Sequence, residues 1–236
     1  MKSFLMLGQS NMAGRGDFGE VEEINNPLCY MLRNGRWIPM SEPINPDRGI
    51  FSYFHSGVGL AASFADEYAK YFNEEIGLIP CADGGTCISQ WQPGELLFDS
   101  AVAQAKLAQR TSEIVGILWH QGENDSHKIE DVELYEKRFK NVIDTIKKQL
   151  NLSKVVPVII GELGEFVGDY AGGKCKYFQQ INGILQQLGN EYGGFVSAKG
   201  LTCRDDNVHF NSKSYREFGK RYFNAYLQIL EKSETK

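Results

Sequence analysis

The chain has 236 residues, 42% apolar and 23% charged, the proportions of an ordinary globular protein long enough to bury a core without disulfides or metals. Its formal net charge is −5 and no run of lysine or arginine occurs, which argues against a nucleic-acid partner, since such partners leave a basic footprint. Cys29, Cys81, Cys87, Cys175 and Cys203 are widely spaced with no Cys-x-x-Cys pair, which excludes a zinc ribbon or a dithiol motif and fits a reduced, intracellular setting.

No stretch approaches transmembrane length, so no membrane partner is expected. "MKSFLMLGQS" is too short for a signal peptide, and the expected location is cytoplasmic. Phe4–Leu7 reads as a buried strand that stops abruptly at Gly8, Gln9, Ser10 and Asn11. Residues 11–56 form a long insertion before the first helix, and within it "CYMLRNGRWIPM" reads as a hairpin turning on Asn34-Gly35. Leu60, Phe64, Tyr68 and Tyr71 then recur at helical spacing, followed by a strand over Ile76–Ile79. A helix through Phe98, Ala101, Val102, Ala105 and Ala108 leads to a strand over Ile114–Trp119. Val132, Tyr135, Phe139, Val142, Ile146 and Leu150 mark the longest stripe, and the charged residues between them are its solvent face. A strand over Val155–Ile160, a helix through Tyr177, Ile181, Ile184 and Leu188, and a strand over Gly194–Ser197 come next. The last helix carries Tyr215, Phe218, Tyr222, Tyr226 and Ile229, with Ser214 and Glu217 as a capping box, and "KSETK" is expected to fray.

The five strands lack clean alternation, as strands covered on both faces do. Alternating with helices, they predict a single α/β domain over residues 1–236: three layers, with a five-stranded, mostly parallel sheet between helices. Ligands of such sheets bind beyond the carboxyl ends of the strands. The segments found there are Gly8-Gln9-Ser10-Asn11, the loop from Cys81 to Thr86, His120 to Asp125, Gly161-Glu162, and Asp205 to Phe210.

That set of side chains suits acyl transfer. A serine hydroxyl needs a base within hydrogen-bond reach, and the base needs a third group to orient it. Ser10 is the candidate nucleophile, His209 the base, and Asp206, three residues earlier, its local partner. Donors for an oxyanion are the Ser10 amide, the Gly84 or Gly85 amide, and the side-chain amide of Gln121 or Asn124. Gln9 and Asn11, flanking Ser10, are candidate substrate contacts.

"GQSNMAG", "DGGTCISQW", "WHQGEND" and "DDNVHF" resemble the ordered blocks of the SGNH hydrolases, and most closely their acetylesterase branch. That branch includes acetylxylan esterases and sialic-acid O-acetylesterases (carbohydrate esterase family 6 and its relatives). The blocks span residues 8–210. The resemblance implies a flavodoxin-like sheet, Ser10 as nucleophile, His209 as base, Asp206 as its partner, and removal of acetyl groups from sugar hydroxyls. Gly122-Glu123-Asn124-Asp125 matches the general block, but the acetylesterase branch usually has a small residue at the Asn124 position and uses the preceding glutamine. Gln121 is therefore preferred over Asn124 as donor, and Glu123 rivals Asp206 as the acidic partner of His209.

Other residues carry two readings each. Ser10 alone could be a turn or cap residue. His120, at a strand end, reads as a buried histidine supporting the site through hydrogen bonds, and His55 and His127 as surface residues. Gly14-Arg15-Gly16-Asp17-Phe18-Gly19 matches the dinucleotide pattern, but no strand ends on it and no helix opens on its third glycine, so no cofactor is expected. No metal-ligand spacing occurs, and none is needed for this chemistry. Trp91 is either packing or an aromatic wall beside a sugar ring, and Arg15 either a substrate contact or a solvated charge. The expected partner is a small acetylated carbohydrate, an imported oligosaccharide or simple sugar rather than polymeric xylan. The alternatives are an esterase or thioesterase of lipid acyl chains on the same triad, or a carbohydrate-binding relative without catalysis.

Overall fold

The first apolar run of the chain is the centre of its sheet. In the computed structural model, which describes residues 1–47 and 55–234, the chain begins with β1 (Lys2–Gly8), the one-turn helix α1 (Ser10–Ala13), and the hairpin strands β2 (Cys29–Arg33) and β3 (Arg36–Pro39). It continues with α2 (Leu60–Phe72), β4 (Ile76–Pro80), α3 (Leu96–Ala108), β5 (Glu113–His120) and α4 (Ile129–Gln149). It ends with β6 (Val158–Gly161), α5 (Phe178–Tyr192), β7 (Gly193–Val196) and α6 (Ser212–Glu234).

The strand order is β3-β2-β4-β1-β5-β6-β7. All pairings are parallel except that of β2 with β3. The five strands expected from the sequence take the order β4-β1-β5-β6-β7, the doubly wound, flavodoxin-like arrangement. Its switch point lies between β1 and β5, where the first crossovers leave in opposite directions.

The sheet has seven strands rather than five, because the hairpin of the 11–56 insertion docks on its edge. Cys29, Tyr30 and Met31 pair with Ile76, Gly77 and Leu78. The turn itself was legible, with Asn34 and Gly35 at φ 48° and 72°, as a tight hairpin requires. Docking on β4 depends on backbone pairing with a strand far along the chain, which leaves no local trace. The strand expected over Val155–Ile160 starts only at Val158: Val156 N–H closes a turn onto Ser153 O, and Val155 is 84% exposed. The last strand runs one residue earlier than expected.

Successive residues of β1 serve opposite layers. Phe4 and Met6 pack with α2 and α6, while Leu5 and Leu7 pack with α3, α4 and α5. Phe4 meets Phe64 and Tyr226 edge to face, with ring centroids 4.8 and 5.1 Å apart. On the other face Trp119 meets Phe139 at 5.1 Å. Each fully buried side chain of this kind stabilises the fold by roughly 1.5–3 kcal/mol.

Helix α6 begins two residues before the expected cap. Asn211 is the capping residue, its Oδ1 accepting the Ser214 N–H at 2.9 Å, while Ser214 Oγ accepts the Thr202 N–H at 2.8 Å. The helix runs on through Lys232, where fraying was expected, to Glu234; Thr235 and Lys236 lie outside the described residues. Helices α2 and α6 cross at Gly219, where a Cβ would stand 2.0 Å from Leu60 O and 2.2 Å from Ser63 Oγ. The backbone at that crossing cannot give way, so Gly219→Ala is expected to lower stability by about 1–3 kcal/mol. Urea unfolding with an unchanged midpoint would contradict this close approach.

Candidate active site

The turn that carries Ser10 is built on a steric constraint. Gly8 has φ +136°, and a Cβ there would lie 2.0 Å from His120 O, so β1 ends pressed against the end of β5. The Gln9 N–H donates to His120 O at 3.0 Å. The chain then turns into α1, whose Met12 and Ala13 N–H groups both donate to Gln9 O at 3.0 Å. Ser10 is the first residue of that turn and 6% exposed. Its N–H and Oγ make no hydrogen bond among the described residues.

Helix α1 stops at Gly14 because two glycine-rich segments cross there. Gly16 and Val58 form a bridge, a Cβ on Gly14 would lie 2.7 Å from Gly59 Cα, and one on Gly57 would lie 2.1 Å from Gly16 O. This crossing accounts for two glycines of the dinucleotide-like pattern without a phosphate. Arg15, between them, is buried rather than solvated; its Nη1 donates to Gly14 O at 2.7 Å and Ser56 Oγ at 3.3 Å.

The loop after β4 is docked on this turn. Asp83 N–H donates to Gly8 O at 2.9 Å, and Thr86 Oγ1 closes the loop by donating to Asp83 O at 2.7 Å. A Cβ on Gly84 would lie 3.5 Å from Ser10 Cβ and 2.5 Å from Arg15 Nη2, so the Gly84 backbone borders the serine. Asn124 Nδ2 donates to Gly85 O at 2.7 Å and steadies the loop from the β5 side.

The histidine is held by its own loop. His209 Nδ1 lies 2.8 Å from Asp206 Oδ2, and the N–H groups of His209 and Val208 donate to Asp206 Oδ1 at 2.9 and 3.0 Å. An ionised carboxylate only accepts, so Nδ1 carries the proton, and Nε2 has no hydrogen bond among the described residues. Burial pushes the Asp206 carboxyl up, but the bonds from the His209 ring and from the two backbone N–H groups outweigh it, holding the group well below the usual carboxylate range. Asn11, next to Ser10, bonds to Val208 O and to the Phe210 N–H, which flank His209. The turn that carries Ser10 and the loop that carries His209 are thereby tied together.

Several expected roles do not match where the side chains stand. Glu123 does not reach His209: its Oε1 accepts from Asn11 Nδ2 at 2.5 Å and lies 3.5 Å from His120 Nε2, and the carboxylate paired with His209 is that of Asp206. Gln121 is fully buried, and its Nε2 faces Gln9 Oε1 at 3.2 Å, Thr86 O at 3.1 Å and Asp125 Oδ2 at 2.5 Å. Three acceptors fix the amide's orientation and leave no N–H for an oxyanion. Asn11 is likewise buried in internal bonds and is not a substrate contact, while Gln9 is buried with its Oε1 facing Gln121 Nε2 at 3.2 Å and the Gly122 N–H at 3.5 Å. Trp91 is core, with Nε1 donating to Thr86 Oγ1 at 3.1 Å and its ring against Trp119. His127 is half-buried rather than a surface residue, and burial lowers its pKa. His55 is exposed beside Asp47.

Asp125 and Tyr215 carry structural roles that the sequence did not suggest. Burial pushes the Asp125 carboxyl up to about 6 against the bonds from Gln121 and the Ile88 N–H. Tyr215 donates to Asn11 Oδ1 at 2.6 Å. It fits the apolar stripe of its helix equally well, so its polar role has no separate signal.

A family model described as carbohydrate esterase, sialic acid-specific acetylesterase, matches residues 1–228. A probable carbohydrate esterase of Arabidopsis thaliana is 31% identical over 245 residues, covering 95% of this chain and 89% of that protein. Its X-ray structure superimposes with a TM-score of 0.84 at 28% identity, covering 96% of this chain and 98% of that one. Two more distant structures share the fold. NanS has a TM-score of 0.80 at 17% identity, covering 98% of this chain and 97% of that one. A carbohydrate acetylesterase of Xanthomonas citri has a TM-score of 0.70 at 17% identity, covering 96% of this chain and 56% of that one. With the motif blocks lying along one sheet edge and the family model spanning nearly the whole chain, the protein belongs to the carbohydrate esterase, sialic acid-specific acetylesterase family and has the SGNH hydrolase fold.

Proposed function

We propose that this esterase removes acetyl groups from the hydroxyls of small carbohydrates by acyl transfer through Ser10, His209 and Asp206. The observation that carries the reading is the oriented imidazole: Nδ1 is bonded to Asp206, Nε2 has no partner among the described residues, and the loop is tied to the residue beside Ser10. His209 Nε2 takes the proton from Ser10 Oγ as the oxygen attacks the acetyl carbonyl. Asp206 fixes the tautomer and stabilises the imidazolium. The Ser10–acetyl bond forms, and the C–O bond to the sugar breaks as the leaving oxygen receives the proton from His209. Water then attacks the acetyl-serine with His209 again as base, releasing acetate and restoring the Ser10 hydroxyl.

The developing oxyanion needs donors held in advance. The Gly84 backbone borders Ser10, and neither residue's N–H has a partner among the described residues; Asn124 has one further side-chain N–H besides that bonded to Gly85. One such donor is typically worth about 3–4 kcal/mol in the transition state. The Arg15 guanidinium, with Nη2 against Gly84, adds positive charge on the same side.

Ser10→Ala is expected to lower p-nitrophenyl acetate hydrolysis by at least about 10⁴-fold with the fold intact; undiminished turnover would remove the mechanism. Acetyl esters are expected to be turned over faster than octanoyl esters, and a strong octanoyl preference would instead indicate a lipid acyl substrate. Asp206→Asn is expected to lower kcat by about 10⁴-fold by favouring the wrong tautomer. The same variant tests stability. The folded Asp206 carboxyl sits below its unfolded value of about 3.9, so its stabilisation is complete above that pH and disappears as pH falls through the folded value. Its side chain is 38% exposed, which keeps the effect small. The difference in urea midpoint between wild type and Asp206→Asn should therefore shrink as pH is lowered from about 5 toward 2; a difference independent of pH would contradict the depressed carboxyl.

A further inference from the structure

The buried amide of Asn11 is saturated. Its Nδ2 donates to Glu123 Oε1 at 2.5 Å and to Val208 O at 2.9 Å. Its Oδ1 accepts from the Phe210 N–H at 3.3 Å and from the Tyr215 hydroxyl at 2.6 Å. A carboxamide has two N–H donors and two acceptor lone pairs, so all four are used and the side chain is closed to substrate. The orientation is fixed as well, because exchanging oxygen and nitrogen would set the oxygen against a carboxylate and a carbonyl. The four partners come from three separate places: the turn after β5, the histidine loop and helix α6. Two of them, Val208 and Phe210, stand immediately before and after His209.

Glu123 anchors this amide from inside the protein. It is fully buried, with Oε1 3.5 Å from His120 Nε2. Burial disfavours its charged form, but the contacts with His120 and Asn11 more than compensate, so its pKa is lowered. His120 is seated in turn: Nδ1 lies 3.4 Å from the Tyr222 hydroxyl, which donates to Trp119 O at 2.9 Å. The pair is accommodated by Gly161, where a Cβ would lie 2.0 Å from Tyr222 Oη and 2.6 Å from His120 Nδ1. Burial also holds the Tyr215 phenol protonated, as its bond to Asn11 requires.

We propose that Asn11, seated by Glu123 and Tyr215, is a positioning residue that sets the alignment of His209 with Ser10 by gripping the backbone on both sides of the imidazole. Ser10 and Asn11 are consecutive residues of one rigid turn, so the grip transmits the position of the nucleophile directly to the base. The inference rests on the acyl-transfer reading of Ser10 and His209. Misplacing a catalytic group by about 1 Å can lower a rate about 10²-fold. The effect should fall on kcat, because none of these side chains faces the substrate.

The test measures kcat and KM for p-nitrophenyl acetate per folded molecule, with the folded fraction taken from calorimetry. Asn11→Ala is expected to lose about 10²-fold in kcat with little change in KM. Tyr215→Phe removes one of the four bonds and is expected to lose about tenfold or less. Glu123→Ala should resemble Asn11→Ala, while Glu123→Gln, which keeps an acceptor oxygen for Asn11, should recover most of the rate. If Asn11→Ala does not fold, the Tyr215 and Glu123 variants decide. Full kcat per folded molecule in Tyr215→Phe and Glu123→Ala, with Ser10→Ala inactive, overturns this inference alone, whatever the melting temperatures. Activity surviving in Ser10→Ala overturns the acyl-transfer reading beneath it.

Discussion

The constraint on which the rest depends is the double burial of β1. A strand with Phe4 and Met6 turned to one helical layer and Leu5 and Leu7 to the other has no polar face to show to water. It must lie inside a parallel sheet, and parallel neighbours require crossover connections that return each strand in the same direction. The carboxyl ends of the parallel strands therefore emerge on one edge. Gly8 then brings the end of β1 into direct contact with His120 O, closer than any side chain allows. Ser10 stands where it does because of that contact.

The same edge carries a problem of buried polarity. Glu123, Gln121, Asp125, His120, Asn11 and Gln9 are all withdrawn from water. Unpartnered groups of this kind would be strongly destabilising. Most of their polar atoms bond to one another: Gln121 bonds to Gln9, Thr86 and Asp125, and Asn11 to Glu123 and the histidine loop, while Gln121 Oε1, Glu123 Oε2 and Asp125 Oδ1 have no partner among the described residues. Such a network fixes geometry as well as contributing stability, since each amide accepts only one orientation. The candidate catalytic groups sit on top of it. Ser10 takes its place from Gln9 and Asn11 on either side, and His209 from Asp206 and from the bonds of Asn11 to Val208 and Phe210.

Burial likewise corrects the roles of single residues. Polar side chains near a serine invite assignment to the substrate, yet the Gln121 and Asn11 amides direct their N–H groups to buried partners. Trp91 offers a flat ring in the sequence and a buried one in the structure, bonded to Thr86. Gly14 and Gly16 look like a phosphate loop and serve a crossing of two backbones. In each case residue type and spacing were right for both roles, and burial decided between them.

Sequence alone determined the strand and helix alternation, because apolar periodicity reflects local backbone geometry. It also located the Asn34-Gly35 hairpin, since positive φ at a tight turn selects those residues. Asp206 and His209 were recognisable as a pair because three residues in one loop suffice to bring them together. Tertiary structure alone decided that the hairpin extends the sheet, that Glu123 serves His120 and Asn11 rather than His209, and that the Gln121 amide is closed. Those outcomes depend on which groups from different elements become neighbours in a dry interior, and hydrogen bonds between elements, such as that of Asn11 with Glu123, leave no periodic mark in the chain.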